Sequence, residues 1–335
     1  MKEYDAAVAA MRAALKAAPE SLDLIRYATL AASGHNTQPW KFRLEPQLIT
    51  VLPDFARRTP EVDPDDHHLF VSLGCAAENL SVASQARANP GEIRFNSEDD
   101  GAVEFAYKRG ASSGSDLCDA IPKRQSTRAD FSGAPIRTAD LRTLSRAAVQ
   151  PGVDVIITTD RPQINRIREL VIAGNTTQMA ESKFVHELKA WLRFNPHDAL
   201  ATGDGLFSAS SGSPTLPRWL GPRLFDWAFT AESENAKYAQ QIDTSSAVAV
   251  FVAAQSNPEH WVAVGRAAQR FALQATAIGL KHSFVNQPVE VAALRSDLAA
   301  LVGLPGRRPD LVMRIGYGPT LPYSARRSVQ STILT

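Results

Sequence analysis

The chain has very little cysteine. Of its 335 residues only Cys75 and Cys118 are cysteines, and neither stands in a CxxC pair. Two such residues cannot make a disulfide framework. Cys75 falls in the apolar run Val71 to Ala77, the setting of a small buried side chain. No charge sign dominates: net charge is +1, so composition implies no polyanionic partner. No stretch of clustered Lys and Arg with interleaved aromatics is present, and nucleic acid is not an expected ligand. No window approaches the ~18 uninterrupted apolar residues that would span a membrane. The seven histidines include His67-His68 but no HExxH, so no metal site is expected; GxGxxG is also absent. Gly110 to Gly114 matches GxSxG in form only. The strand before it, AVEFAYKR, is amphipathic and charged, and Pro122 follows too closely for the long helix a nucleophile elbow needs.

What is present is a large apolar fraction, 44%, enough for a sizeable core in two domains or one pseudo-symmetric one. The opening MKEYDAAVAAMRAALKAA reads as an amphipathic helix and not a secretory leader, which makes a soluble cytoplasmic protein the expectation. Helices are predicted over residues 3–17 and 21–33, with Ser21 as N-cap. Strands follow in KFRLE and LITVL, then an apolar helix over 68–88 and a hairpin from GEIRFN and GAVEFAYKR. The small-residue stretch Gly110 to Gly114 marks the expected junction. Beyond it come a helix over 141–149, a strand over 153–159, and a long helical region over 162–191. AVAVFVAA is apolar throughout and predicts a central strand. A helix over 263–279 and a strand over 311–316 close the pattern. The two Ala-rich helices, LFVSLGCAAENLSVASQARA and GRAAQRFALQATAIGL, suggest an internal two-fold.

Four short motifs carry the chemistry. The first is Ser33-x-x-Asn36-x-Gln38-Pro39-Trp40, whose neutral donors and acceptors suit a ligand with alternating C=O and N–H groups. The second is Arg124-x-Ser126-x-Arg128. If extended, it turns two guanidiniums and a hydroxyl to one face, a phosphate-sized anion site. The third is Gly279-Leu280 with Asn286-Gln287 downstream, and the fourth is Arg326-Arg327.

Taken together these motifs resemble the FMN-dependent nitroreductase superfamily. The resemblance implies an α+β fold with a mainly antiparallel central sheet wrapped by helices. It implies one FMN, reduced by hydride from NAD(P)H and reoxidised by a small-molecule acceptor, with no protein side chain carrying the covalent chemistry. By the same likeness Arg124 and Arg326 or Arg327 would hold the phosphate, and Ser126 a ribityl or phosphate oxygen. Arg128 would lie near flavin N1 and O2. Asn286 and Gln287 would align with the pair whose backbone N–H meets N5, although the family prefers Gly where Gln287 stands.

The motif order departs from the family. Ser33 to Trp40 precedes Arg124 to Arg128, and each half of the chain carries only one ligand set. Such a layout resembles the single-chain Acg-type branch: a monomer that mimics a family homodimer. Residues 1–118 would supply Ser33, Asn36 and Gln38. Residues 119–335 would supply the rest, with a lid over about 195–240 bearing Phe207, Trp219, Phe225 and Trp227. The alternative is a lid-covered protein that sequesters or senses flavin with little or no turnover.

Overall fold

The structure, a computed structural model, describes residues 1–113, 116–221, 225 and 229–334. Two helices open the chain, α1 (Lys2–Met11) and α2 (Ser21–Thr29). The N-cap of α2 is Glu20 rather than Ser21. The Glu20 side chain accepts from the Asp23 backbone, and Asp23 reaches back to Glu20. A hairpin of β1 (Trp40–Glu45) and β2 (Leu48–Pro53) follows. Then come the long helix α3 (His67–Gln85) and a second hairpin, β3 (Gly91–Asn96) and β4 (Ala102–Tyr107). These strands form one antiparallel sheet in the order β1-β2-β4-β3.

After short α4 (Asp116–Ala120) and α5 (Thr138–Ala147), β5 (Val153–Thr158) begins a second sheet. The predicted long helical region divides at Glu181, which takes extended ψ, into α6 (Arg161–Ala180) and α7 (Ser182–Ala190). Next are α8 (Pro196–Thr202), α9 (Ala231–Asp243), β6 (Ala247–Ala253), α10 (Pro258–Ala277) and β7 (Lys281–Phe284). The chain ends with α11 (Gln287–Glu290), α12 (Arg295–Leu301), β8 (Pro309–Gly316) and α13 (Val329–Thr332). Helix α10 starts five residues before its apolar pattern suggests. Asn257 caps it by accepting from the His260 N–H, and Pro258 sits at its first turn. As expected, β6 is central, with all seven residues buried between β5 and β8.

The expected antiparallel sheet is present once in each half. The second sheet is separate and ordered β5-β6-β8-β7. Numbered within itself, each sheet runs first-second-fourth-third, with a long helix between second and third strands. The halves therefore repeat one topology. The sheets cannot merge because α3 and α10 pack against each other between them, each with its own sheet behind it.

That helix pair carries the two-fold. A side chain on Gly74 would strike the Val262 carbonyl, and one on Gly265 would strike the Val71 carbonyl. The same offset, 191 residues, relates Val71 to Val262 and Gly74 to Gly265. The bare glycines let the backbones touch, and Cys75 Sγ lies 3.2 Å from the Gly265 oxygen. Further along the crossing, fully buried Glu78 pairs with Arg266 at 3.1 Å and Arg270 at 2.5 Å. Gln269 donates to Asn79, which donates to the Tyr27 carbonyl.

The ends of the chain cross between halves. The Leu334 N–H donates to Phe42 O, extending the first sheet from its β1 edge. Tyr4 of α1 donates to Tyr323 O and packs on Phe207. Among the described residues no helix is long and apolar enough to cross a membrane. Overpacking at the helix crossing gives a direct test. Gly265→Ala should cost about 1–3 kcal/mol of stability, or more. Gly34→Ala, with open space around it, should shift the urea midpoint little.

Candidate functional site

The turn after α2 is built under conformational stress. His35, Asn36 and Gln38 all take positive φ, at 47°, 55° and 53°. Non-glycine residues seldom do so, and strained backbone of this kind gathers at binding sites. Ser33 Oγ closes the turn by accepting from the Gln38 N–H at 3.1 Å. Fully buried Trp40 then starts β1. The turn faces a cleft whose other walls are α3, through His68, Val71, Ser72 and Cys75, and the β7–α11 connection, through Ser283, Asn286 and Gln287. With its mouth, the cleft holds about 1180 Å³ of empty space.

At one end the cleft narrows into a funnel lined by Arg12, Arg124, Ser126 and Arg326. The segment 124–128 is extended as predicted. Gln125 and Thr127 point away: Gln125 Nε2 donates to Leu321 O, and the Thr127 N–H donates to His282 O. Arg124, Ser126 and Arg128 face the opening. Buried Arg124 donates through Nη2 to Leu30 O, while its Nε and Nη1 find no partner. Arg12 donates to Pro122 O, stacks over Tyr323 at 4.1 Å, and leaves its Nε unmatched. Among the described residues no Asp or Glu lines the funnel. Burial, then mutual repulsion with Arg124, pushes Arg12 down to about 9. Burial brings Arg124 to about 10. A guanidinium remains charged at neutral pH, so the funnel holds buried positive charge.

The predicted residues divide. Ser33 and Asn36 line the site, with Asn36 Nδ2 tied to the Gly205 and Ala325 carbonyls. Asn286 and Gln287 line the wide part; Asn286 Oδ1 accepts from the Val312 N–H. Arg326 is at the funnel, but its N–H groups are committed to backbone carbonyls, including Thr29, Leu30 and Ala31 at the end of α2. It adds charge and caps a helix. Gln38 and Arg327 line neither part. Gln38 is fully buried, donating to Gly203 O and accepting from the Arg327 N–H. Arg327 reaches the Gln38 carbonyl, Asp54 and Ser331 O. Both brace the turn from behind. Arg12 escaped the sequence reading because nothing local marks it: it is one charge near the end of an amphipathic helix.

Only part of the 195–240 segment lies against the cleft. Leu206, Phe229 and Tyr238 reach the cleft, and Phe225 lines an apolar chamber beside it, stacked on Phe229 at 4.2 Å. Phe207, expected over the opening, is buried against Tyr4, and Trp219 is 67% exposed away from the cleft. Trp227 lies outside the described residues. Phe184, Leu188 and Leu192, from the preceding helical region, supply walls that the sequence did not assign. Near the expected junction, Ser112 donates to the Ala86 carbonyl, and the following helix, α4, has five residues. Gly114 lies outside the described residues.

Several titratable groups sit around the wide part. Burial brings His35 down to about 4, helped by Arg128 and His68. Burial raises Glu290 and takes Tyr238 to about 12. Asp63, His67 and His68 come close enough to suggest a metal cluster. However, Asp63 accepts from the His68 and Leu69 N–H groups, and His67 Nε2 meets Asp310 at 2.9 Å. His35 gives a pH prediction. Its folded value lies below the unfolded 6.5, so the stability it contributes is present above pH 6.5 and lost as pH falls through 4. Urea midpoints at pH 7 and 5 should therefore differ more in the parent chain than in His35→Asn.

No family model matches the chain. A Mycobacterium tuberculosis protein named "Putative NAD(P)H nitroreductase Rv3131" is 25% identical over 325 residues, covering 92% of this chain and 90% of its own length. The acg protein of the same organism, with a name of the same form, is 23% identical over 319 residues, 91% of this chain and 92% of its own. Among solved structures, similarity extends to the FMN-dependent nitroreductase NfnB of Mycobacterium smegmatis in complex with NADPH: TM-score 0.43, 13% identity, 66% of this chain and 97% of that one. A nitroreductase with bound FMN from Desulfitobacterium hafniense gives TM-score 0.38, 14% identity, and 64% and 93% coverage. The resemblance to nitroreductase-like proteins of the single-chain Acg type thus holds along more than nine-tenths of the sequence.

Proposed function

We propose that this chain binds one FMN between its halves and acts as an oxidoreductase, taking hydride from NAD(P)H and passing electrons to a small-molecule acceptor. The observation that carries the reading is the arginine funnel at the narrow end of the cleft. Among the described residues, buried Arg124 offers Nε and Nη1 to no partner, beside three further guanidiniums, Arg12, Arg128 and Arg326, and no lining carboxylate. A phosphate monoester fits that donor set. The wide part, with Val71, Leu206, Phe229 and Leu311 among neutral polar groups, fits a flat ring. The names of the two mycobacterial relatives support the same reading.

When bound, FMN would supply a ring that accepts hydride and stores two electrons. The chain's own residues would hold it. Arg124 and Arg12 would donate to the phosphate, Arg326 would add charge, and Ser126 would meet the ribityl chain. Ser33 and Asn36 would close the site from the other half. Arg128 lines both funnel and cleft. Its charge there would favour an anionic reduced ring. Asn286 and Gln287 would present the β7–α11 turn to the ring edge.

A count of one rests on the two-fold. Ser72 and Cys75 line the cleft; their mates on α10 are Ala263 and Arg266. Arg266 fills its side with an ion pair to Glu78. We read the chain as a fused dimer with one surviving site. The apolar walls Leu206 and Phe229 also favour a second reading, a covered flavin with little turnover.

Purified protein should carry about one FMN per chain; a ratio near two would sink the fused-dimer reading. Arg124→Ala should weaken FMN by roughly 1.5–3 kcal/mol in a fluorescence titration and leave riboflavin nearly unchanged, and Arg12→Ala should act in the same direction. Anaerobic mixing with NADPH should bleach the bound flavin in stopped flow. Absent or very slow bleaching would instead select the covered, non-catalytic reading.

A further inference from the structure

One polar pair in the wide part is not used by the cofactor-binding set. His68, at the start of α3, lines the cleft, and its Nε2 finds no partner among the described residues. On the other side of the ring, Nδ1 lies 4.0 Å from Glu290 Oε1. A water molecule or a small ring rotation would close that distance. Glu290 is itself fixed, with Oε2 accepting from Gln178 Nε2 at 2.7 Å. His68 is held from behind as well. Its N–H donates to Asp63, and its ring lies 4.6 Å from that of His67, which is anchored on Asp310.

We propose that His68, backed by Glu290, is the proton donor for the electron acceptor bound in this cleft. The inference rests on the oxidoreductase reading above. An acceptor that takes hydride from the reduced cofactor gains two electrons and one proton, and a second proton must come from elsewhere. For a nitroarene, hydride plus one proton breaks one N–O bond and gives a nitrosoarene and water. His68 Nε2–H supplies that proton while Nδ1 recovers one from the Glu290 carboxyl. The relay resets when Nε2 takes a proton from solvent at the mouth and Nδ1 returns its proton to the Glu290 carboxylate.

The surroundings fit this assignment. Burial raises the Glu290 carboxyl, so it retains a proton more readily than an exposed carboxylate. The other charged or titratable groups facing the pair are Asp63, His67, His35, Arg128 and Tyr238, whose hydroxyl burial holds protonated at about 12, with Asp310 behind His67. Asp63 and His67 have their own hydrogen bonds, and burial keeps His35 neutral. Among these groups, His68 joins an unpartnered ring nitrogen in the cleft to a proton-holding neighbour.

The test compares two acceptors on the flavin-loaded protein. Nitrobenzene needs a proton in its reduction; ferricyanide takes electrons alone. In His68→Gln, reoxidation by nitrobenzene should fall at least 100-fold, the lower range for general acid catalysis, while ferricyanide reoxidation changes less than about two-fold. Glu290→Gln, which preserves a partner for Gln178, should slow nitrobenzene reoxidation at least 10-fold. In ¹⁵N-histidine NMR of the flavin-free protein, His68 should carry its proton on Nε2. Equal rates with both acceptors in both variants, or a proton found on Nδ1, would overturn the proposal. Failure of the parent chain to bind FMN or to be reduced would instead strike the oxidoreductase reading.

Discussion

The fold depends on two helices being allowed to touch. At the α3–α10 crossing, Gly74 meets the Val262 carbonyl and Gly265 the Val71 carbonyl, so the main chains lie in direct contact. Everything on either side takes its spacing from that approach. The two sheets lie behind their helices, and Val71, Ser72 and Cys75 are held at the cleft wall on the same helix as Gly74. A methyl group at either glycine would push one half away from the other. The cleft, whose walls come from both, would widen with it. Apolar burial supplies most of the driving force, but the glycines set the distance at which it acts.

The second constraint is electrostatic. Arg12, Arg124 and Arg326 converge from three distant parts of the chain and repel one another in a poorly solvated space. Hydrophobic packing and backbone carbonyls hold Arg326 and one side of Arg124 in place regardless. Like charges held this close in a buried space are unfavourable. The anion binding proposed above would offset that repulsion and add to stability by mass action as well as by contact.

Much of this was legible in the sequence, for identifiable reasons. Period-two alternation gave the face shared by Arg124, Ser126 and Arg128, and the apolar run 247–253 gave the central strand. The Ala-rich echo pointed to the helix pair. What it did not reveal was the register of that pair, because the signal is two glycines that look unremarkable alone. The division of the antiparallel strands between two sheets was hidden at the same point: a sequence shows strands but not what separates them. Arg12 was missed because its role comes from contact with Pro122 and Tyr323, more than a hundred residues away. Gln38 and Arg327 belong to recognisable motifs, yet here they support the turn from its far side. Motif membership specifies neighbourhood; which side chain reaches the ligand depends on backbone direction. At Gln38 the φ is positive, a choice no propensity scale anticipates for glutamine.

The exchanged chain ends change how the molecule responds to dilution. A single parallel bridge at Ile333 adds the C-terminal end to the sheet of the first half, while α1 docks against Phe207 and Ala325 of the second. In two separate subunits such an exchange would be bimolecular, and the composite cleft would disassemble at low concentration. Covalent continuity replaces that equilibrium by an effective local concentration on the order of millimolar. It also removes the requirement that both copies of a residue serve alike. Cys75 can stay small at one cleft wall while Arg266, its symmetry mate, becomes a buried cation. The single polypeptide is free to be asymmetric where a homodimer could not be.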